Sequence, residues 1–363
     1  MSMKSAKTLA AVVVALSLCG CAGGADNGVT LTGDQQRDRQ NAADPQTGER
    51  LTIRKSQLRE NAIELLTKEA TGSDWAAVRA NAIEALAAAP SRLRPVMPLA
   101  LDDPNLGVRS VALMAMGRLR MCDMADFAQD LLEDRSPFVR ASAVYALHRC
   151  DRDQTPEPLA AMLFGSDDPR VRAHAAFLIG ELGDRSAAPM LRQAAAARAP
   201  QRARDIEARL MQLQIAEALT KLGDSSQLHT IQASLFVSRP EELEATALAV
   251  QILGELRARA SENDIRNLIA YRDESNRPMP PEIRLSAALA LAKLGRPEAV
   301  GVGRELMRHE DAQVRALAAM VLGEAGLEED LAALERLLED ENGLVRVSAA
   351  GGILNSLGSS FRN

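Results

Sequence analysis

The sequence has very few aromatic residues. One Trp, two Tyr and six Phe occur among 363 residues. Stacking of nucleic-acid bases, sugar rings and quaternary amines needs flat aromatic faces. The formal net charge of −6 also disfavours nucleic acid, because binding to a phosphate backbone depends on cationic side chains. We therefore expect no nucleic-acid partner, and glycan or small-ligand sensing is disfavoured.

The sequence also lacks the short motifs that carry enzymatic chemistry. It contains no glycine-rich phosphate loop, no nucleophile elbow and no Cys-x-x-Cys pair. The four histidines are scattered, which argues against a metal centre built on the repeats. From the residues we expect no catalytic group, no metal and no cofactor, and hence no enzyme.

What the chain does contain is one recurring segment. Residues 168–184 read DPRVRAHAAFLIGELGD, and their apolar residues fall on one face of an α-helix. Related segments follow at intervals of mostly about 31 residues, a period typical of stacked helical pairs. The marker of each copy is a Val-Arg pair or its counterpart, at Val78-Arg79, Val108-Arg109, Val139-Arg140, Val171-Arg172, Ile283-Arg284, Val314-Arg315 and Val345-Arg346.

These copies resemble a known repeat family. They share an Asp before the second helix, the Val-Arg pair, an Ala-Ala step and a Leu-Gly ending. The combination resembles HEAT repeats, specifically the short bacterial type also seen in phycobilin lyases. The resemblance extends over residues 51–358 and implies an all-α fold, an α/α superhelical solenoid of about nine antiparallel helix pairs. It implies little about function, because one such fold serves many roles.

The Asp and Arg markers predict a structural ladder between successive repeats. An Asp before the second helix would cap its N-terminus, and an Arg would reach a neighbouring carboxylate. The alternative is that the arginine row binds a ligand. The predicted ladder consists of Asp103, Arg109, Asp134, Arg140, Asp168, Arg172, Arg284, Asp311, Arg315, Asp340 and Arg346.

Small residues recur inside the predicted helices. A glycine in a helix costs about 1 kcal/mol relative to alanine, so a recurring glycine indicates a close contact between helices. These glycines are Gly117, Gly180, Gly254 and Gly323, and we expect Ala115, Ala146, Ala175, Ala287 and Ala318 to serve the same close approach.

Two insertions interrupt the period, at residues 196–204 and 272–281. Each falls between the two helices of a pair, so both should emerge at one edge of the solenoid. Insertions gathered at one edge often form a binding surface, although plain variation in loop length is the alternative. The candidate partner-binding residues are Arg198, Arg202, Arg204, Arg277 and Met279.

Residues 1–20 have the pattern of a lipoprotein signal peptide. Lys4 and Lys7 precede an apolar run of about ten residues, which is too short to span a bilayer. Leu18-Cys19-Gly20-Cys21 resembles the bacterial lipobox, which implies acylation of Cys21 and cleavage before it. An ordinary signal peptide that is cut elsewhere is the alternative.

The chain is therefore expected to be exported and held at the membrane only through its lipid. Residues 21–50 would form the acylated cysteine and a flexible tether, because they are polar and lack apolar periodicity. Residues 359–363 would form a C-terminal tail. Ala22, with no Asp at the second mature position, resembles the sorting signal for the outer membrane, facing the periplasm.

Two cysteines remain outside the leader, Cys122 and Cys150. They fall at the two ends of one predicted antiparallel pair, where a disulfide is geometrically reasonable and an oxidising compartment would permit it. Cys150 also occupies a position that is apolar in the next repeat. A packed free thiol is therefore an equally good prediction.

The favoured function is a lipid-anchored scaffold or adaptor that binds another protein in the bacterial cell envelope. The alternative is an enzyme-maturation factor or a lyase-like enzyme built on HEAT-like repeats. Deoxyhypusine hydroxylases also resemble this chain and bind iron through His-Glu pairs on successive helices. Here His174 is followed by Ala175, so the resemblance does not extend to those ligands.

Overall fold

The computed structural model describes residues 45–152, 155–201, 203–236 and 240–360. In these residues the chain is all-α, without β-strands, as predicted. The helices of the first half are α1 (Pro45–Gly72), α2 (Ala76–Leu86), α3 (Pro90–Leu93), α4 (Met97–Leu101), α5 (Leu106–Leu119), α6 (Ala125–Asp130), α7 (Pro137–Arg149), α8 (Glu157–Gly165) and α9 (Pro169–Leu182). Those of the second half are α10 (Ala188–Ala196), α11 (Asp205–Lys221), α12 (Leu228–Ala233), α13 (Leu243–Glu255), α14 (Glu262–Ala270), α15 (Pro281–Lys293), α16 (Val300–Leu306), α17 (Ala312–Ala325), α18 (Leu331–Leu337) and α19 (Gly343–Ser360).

The described helices form nine antiparallel pairs in two layers. The second helices of the pairs contact one another in succession and carry the longest buried runs, so they form the inner layer of a curved stack. They are α2, α5, α7, α9, α11, α13, α15, α17 and α19. The first helices form the outer layer and pack chiefly on their own partners.

The boundaries of the best-formed helices follow from their terminal residues. The side chain of Asp168 accepts a hydrogen bond from the second backbone N–H of α9, and Pro169 fits the first turn, where its missing N–H costs nothing. Gly183 ends α9 with a φ of 76°, and Gly326 ends α17 with a φ of 64°. A residue with a side chain rarely adopts this left-handed conformation, so glycine stops both helices.

Glycines allow neighbouring inner helices to approach each other closely, one pair of helices at a time. A Cβ atom at Gly180 of α9 would lie 2.8 Å from the Cα atom of Ala218 in α11, and one at Gly254 of α13 would lie 2.9 Å from that of Ala290 in α15. Gly323 meets Gly352 in the same way. The predicted close contacts therefore exist, because no larger residue fits at these crossings.

The alanines that face these glycines are mostly not the ones expected. Ala146 does lie against Gly117, but the other two facing alanines are Ala218 and Ala290. Ala175 lies one helical turn earlier in its repeat than Ala218 does in the next. The expected alanines therefore include residues from two repeat positions, which lie one helical turn apart on the same helix face.

The stack closes on itself. The last inner helix, α19, packs against α1 and α2 as well as against α17 and its own partner α18. Three ion pairs span the junction, Arg346 with Glu69, Arg54 with Glu335 and Lys55 with Glu328. The ninth pair therefore covers the first pair. The nine pairs thus form a ring.

The apolar core crosses the same junction. Leu58, Ile63 and Leu66 of α1 belong to one buried cluster with Ile353 and Leu357 of α19. Full burial of each such side chain contributes about 1.5–3 kcal/mol. Closure is therefore stabilised by apolar packing as well as by charge.

The chain boundaries differ from those expected at both ends. α1 begins at Pro45, six residues before the expected start of the solenoid at residue 51, and α19 extends through Ser360, into the expected tail. Residues 1–44, which include the predicted leader and Cys21, lie outside the described residues.

Candidate functional site

All connections that lead from an outer helix to its inner partner lie at one edge of the ring, which we call the loop edge. Its described residues are 73–75, 102–105, 131–136, 166–168, 197–201, 203–204, 234–236, 240–242, 271–280, 307–311 and 338–342. It also holds the N-termini of the inner helices, and both predicted insertions belong to it.

Arginines along the loop edge join consecutive pairs. Arg79 donates from Nε and Nη2 to the carboxylate of Asp103, at 2.7 and 2.8 Å, and it also donates to the carbonyl oxygen of Ser73 in its own loop at 2.7 Å. Arg315 is joined to Asp340 in the same way, whereas Arg109 donates to Asp134 from Nη2 alone, at 3.0 Å. These residues form a structural ladder, because each guanidinium spans two repeats.

The carboxylates of the ladder are held in their charged form. Burial alone would raise the pKa of the Asp103 carboxyl group, but hydrogen bonds from Arg79 and from the backbone N–H of Asn105 outweigh it. Its pKa therefore lies below the usual range. The pKa values of Asp134 and Asp340 are lowered by the same balance.

Two of the predicted ladder carboxylates do something else. Asp168 and Asp311 cap α9 and α17, accepting from the backbone N–H groups of Arg170 at 2.9 Å and Gln313 at 2.7 Å. The residues at the positions equivalent to Asp103 are Ser166 and His309. The predicted capping role is therefore confirmed for Asp168 and Asp311, whereas the carboxylates that accept from an arginine of the preceding pair lie at a position two residues earlier.

The arginine–aspartate pairs of the ladder occur in the first and last repeats, and the arginines of the middle repeats have other hydrogen-bond partners. Arg140 and Arg172 donate to the carbonyl oxygens of Asp134 and Ser166, at 2.7 and 2.6 Å. Arg284 instead reaches Glu305 on α16, at 2.7 and 3.0 Å.

The two insertions expose arginines that are already paired. Arg204 contacts Glu207 at 2.7 Å and Arg277 contacts Asp273 at 2.8 Å, with both arginine side chains 75% exposed. Arg198 is exposed as well, whereas Arg202 lies outside the described residues. These arginines remain accessible at the loop edge.

Met279, the fifth predicted edge residue, is buried in the core, with only 8% of its surface exposed. Asp273 accepts hydrogen bonds from the backbone N–H groups of Ser275 and Arg277, each at 2.9 Å. An antiparallel bridge between Arg272 and Pro278 then returns the chain to the body. Met279 therefore cannot contact a partner, and that prediction was wrong.

The loop edge also exposes large apolar side chains that the sequence analysis missed. Trp75 is 60% exposed before α2, Phe236 is 68% exposed after α12, and Tyr271 is 46% exposed after α14. The others are Phe164 near the end of α8, Leu99 in α4 and Leu106 at the start of α5. Their exposure could have been predicted from their position next to turns, outside the apolar stripe of each helix.

A cavity of about 200 Å³ opens on the inner layer and follows α5 from the loop edge. Leu106 and Phe138 lie at its loop-edge end, because each stands at the start of an inner helix. Met114 and Phe177 form apolar walls further along, and Arg118 lies near the end of α5. Ser110, His174 and Glu84 are its other polar lining residues.

Three of the groups around this cavity form a hydrogen-bonded chain. Ser110 Oγ lies 2.7 Å from Ser142 Oγ, which lies 3.0 Å from Nε2 of His174. Burial lowers the pKa of His174 to about 4, against a hydrogen bond to the backbone of Phe138 that favours the protonated ring. The imidazole is therefore neutral at physiological pH.

A second cavity of about 110 Å³ shares Arg118 and Phe177 with the first. Its lining is mostly polar and includes Glu181, Gln214, Glu217, Lys221, Gln251 and Glu255. We call the two adjoining cavities together the inner groove, which is apolar at the loop-edge end and charged at the other.

Lys221 is the central cation of this groove. Its Nζ atom lies 2.7 Å from Glu181, 2.6 Å from Glu217 and 4.8 Å from the centre of the Phe177 ring. Burial alone would lower the pKa of Lys221, but the two carboxylates outweigh it and raise the pKa. Lys221 therefore stays charged.

Charges alternate along the inner helices from α9 to α17. Glu181, Lys221, Glu255, Lys293 and Glu324 occupy equivalent positions in successive copies. Lys221 pairs with Glu181, and Lys293 pairs with Glu255. Each lysine stem passes over the glycine of the preceding helix, since a Cβ at Gly180 would lie 3.6 Å from Cδ of Lys221.

Cys122 and Cys150 are joined by a disulfide, with Cα atoms 5.3 Å apart. The bond ties the turn before α6 to the end of α7, at the edge opposite the loop edge. Of the two predicted states, the structure holds the bonded one.

The described residues contain no group of three or more His, Cys, Asp or Glu side chains arranged to hold a metal ion. In the same part of the chain, no helix has the length and apolar character needed to cross a bilayer.

Comparison with known protein families identifies HEAT repeats in residues 63–148 and 276–353. These segments make up a little under half of the chain. Of the three arginines at which the ladder changes, only Arg172 lies in the unmatched middle. A search of curated proteins found no relative.

Several solved structures are similar to this chain at low identity. The CpcE–CpcF complex of phycocyanin lyase from Nostoc matches 62% of this chain and 86% of that chain, at 19% identity and a TM-score of 0.41. Human deoxyhypusine hydroxylase matches 83% of this chain and 98% of its own, at 14% identity and a TM-score of 0.34. YibA of Escherichia coli matches 71% and 91%, at 16% identity and a TM-score of 0.32.

Proposed function

We propose that this ring is a scaffold that binds another protein through its loop edge. The observation that supports the proposal is the exposure of Trp75, Phe236 and Tyr271 at one edge of a chain that has very few aromatic residues. Trp and Tyr are enriched among the residues that dominate binding energy in protein interfaces.

The ring also suits a scaffold mechanically. Each repeat packs on two neighbours, and the ends of the chain hold each other. The loop edge is therefore a semi-rigid surface, and little conformational entropy is lost when a partner docks. Paired arginines such as Arg204 and Arg277 would form the polar rim around the apolar residues.

A photo-cross-linking amino acid placed at residue 75, 99 or 236 of the full chain tests this proposal in cells. The expected result is one common protein cross-linked from all three positions. Ile53 and Phe127 are exposed apolar residues away from the loop edge, and the same probe placed there is the matched control. Equal capture from the control positions, or no protein captured from the loop edge, would contradict the proposal.

The energetic test uses the captured protein itself. Trp75→Ala should weaken its binding by about 2 kcal/mol, or roughly thirtyfold, as expected for a central aromatic contact. Phe127→Ala should leave the affinity unchanged. Calorimetry with the two purified proteins measures both.

We further propose that the ring acts in the cell envelope, anchored through acylated Cys21 in the outer membrane. The lipobox-like sequence Leu18-Cys19-Gly20-Cys21 supports this proposal. The disulfide between Cys122 and Cys150 is consistent with it, because disulfides persist in oxidising compartments and are rare in the cytosol.

Mass spectrometry of the mature N-terminus, with fractionation of the two membranes, tests the anchor. The expected mass is that of a chain starting at Cys21 with acyl groups attached, and Cys21→Ser should leave an uncleaved precursor. A mature chain that starts elsewhere would support the ordinary signal peptide instead.

A further inference from the structure

The inner groove presents mainly hydrogen-bond acceptors. The Oε1 atom of Gln251 is buried and has no hydrogen-bond donor among the described residues, although the side chain lines the groove. The hydroxyl group of Ser110, whose Oγ lies 2.7 Å from Ser142 Oγ, also lines the groove.

The charges of the groove also favour a ligand that donates hydrogen bonds. Four carboxylates line it, those of Glu84, Glu181, Glu217 and Glu255, against the two cations Arg118 and Lys221. Lys293 pairs with Glu255, and Arg149 acts on Glu181, both from outside the lining, so the surplus of carboxylates belongs to the lining itself. Both lining cations lie between two carboxylates, Arg118 at 4.0 Å from Glu84 and 3.7 Å from Glu181. The groove therefore favours a ligand that brings positive charge and hydrogen-bond donors.

The loop-edge part of the groove favours an apolar ligand. Val111, Met114, Phe138 and Phe177 line it with Leu106. An apolar cavity of roughly 150 Å³ can hold a benzene molecule, so the 200 Å³ cavity has room for one large apolar side chain. From Leu106 to Arg118 the groove follows α5 for about 18 Å at 1.5 Å per residue, which an extended segment of about six residues would span.

We infer that the groove receives a segment of the partner protein in which a Lys or Arg follows apolar residues. The inference rests on the proposed function and extends it. The partner covers the loop edge, and the segment enters the groove beside Leu106. Its apolar side chain packs between Met114 and Phe177. Its basic side chain donates to Gln251 and to the carboxylates that line the groove.

Fluorescence anisotropy with labelled heptapeptides tests this inference on the full chain. The probe Gly-Ser-Leu-Arg-Leu-Ser-Gly is compared with versions that carry Gln or Glu at the centre. The Arg peptide should bind about tenfold more tightly than the Gln peptide, and the Glu peptide should not bind at about 1 mM. Raising the ionic strength should weaken the Arg peptide alone.

Variants of the groove locate the bound peptide. Met114→Trp fills the apolar end and should abolish binding, whereas Gln251→Leu removes an acceptor and should weaken it about fivefold. Glu341→Gln is the matched control, because Glu341 is 91% exposed at the loop edge, outside the groove. If Met114→Trp fails to fold, Gln251→Leu still tests the site.

The inference is overturned if the Glu peptide binds as tightly as the Arg peptide, if no peptide binds, or if Gln251→Leu leaves the affinity unchanged. These failures are distinct from failure of the proposed function. Cross-links from residues 75, 99 and 236 report on the loop edge whether or not the groove is filled. Cross-links from the loop edge without peptide binding would contradict only the inference that the inner groove receives a segment of the partner.

Discussion

Arg346 and Glu69 lie 277 residues apart in the chain, and Nε of the arginine donates to Oε1 of the glutamate at 3.0 Å. Arg346 belongs to the last inner helix and Glu69 to the first outer helix. The pair continues the arginine ladder across the junction where the two ends of the chain meet. A solenoid with free ends could not form it.

Glu69→Gln should destabilise the ring at this junction. The pair is only partly exposed, so removal of one charge leaves the other poorly solvated, and we expect a loss of about 2–3 kcal/mol in the free energy of unfolding. The charge-swapped double variant, Glu69→Arg with Arg346→Glu, should recover part of it. Urea denaturation measures the loss, and X-ray scattering measures any opening of the ring.

Arg54→Gln supplies the control at the same junction. Arg54 pairs with Glu335 in solvent, with the arginine side chain 68% exposed, so the change should be below about 0.5 kcal/mol. An equal effect of both substitutions would show that the ladder pair has no special role in closure.

Gly180→Ala should destabilise the protein although alanine is the better helix former. The new Cβ would lie 2.8 Å from the Cα atom of Ala218, so α9 and α11 would have to separate. Overpacking of this kind costs about 1–3 kcal/mol. Thermal unfolding followed by circular dichroism measures it.

Gly301→Ala is the matched comparison, because that helical glycine has nothing within 4 Å of the position where a Cβ would stand. This variant should gain about 0.5 kcal/mol from helix propensity. A stabilising Gly180→Ala would mean that the paired inner helices can move apart at little cost.

His174 should make the ring less stable as the pH falls from 6.5 to 4. Its pKa in the folded state is lowered to about 4, so the unfolded chain takes up a proton first. The contribution of the neutral imidazole to the free energy of unfolding is complete above pH 6.5. About 3 kcal/mol of it is lost as the pH falls through the pKa of the folded state.

The comparison for that titration is His174→Gln, since Gln214 occupies the equivalent position in α11. The urea midpoints of the two proteins should converge as the pH falls from 7 to 4. Carboxylates with raised pKa values, such as Glu217, titrate in both proteins and cancel in the difference. Parallel curves would show that His174 is not the responsible group.

Loss of the disulfide should destabilise the third pair. The bond closes a loop with a sequence separation of 28 residues, and the loss of chain entropy in the unfolded state predicts about 3–4 kcal/mol. The variant with Ser at residues 122 and 150 should have a lower denaturation midpoint than the wild type without reductant. With reductant present throughout refolding, the two midpoints should agree, and persistence of the difference would implicate packing of the sulfur atoms.

Local features could be predicted because their causes are local. The helical faces follow from apolar spacing, the stop at Gly183 from its backbone freedom, and the crossing at Gly180 from the cost of glycine in a helix. Each depends on residues within a few turns of one another. The stretches of sequence around them therefore contain the necessary information.

Features that depend on a position in space were less well predicted. Asp168 and Asp103 look alike in sequence, yet one caps a helix and the other accepts from Arg79. Met279 lies between two prolines in an insertion and was expected to be exposed. The turn around Asp273 directs it into the core instead. The exposure of Trp75 was missed because a short sequence pattern does not show what covers a side chain.

The sequence by itself determined the repeat, the helix pairs and the residues through which neighbouring pairs meet, because these depend on periodicity and short-range sterics. Whether nine pairs form an open superhelix or a ring depends on the sum of small rotations between them, and no single copy specifies that sum. Only the tertiary structure shows that α19 returns to α1, that Arg346 meets Glu69, and that the inner helices enclose a groove.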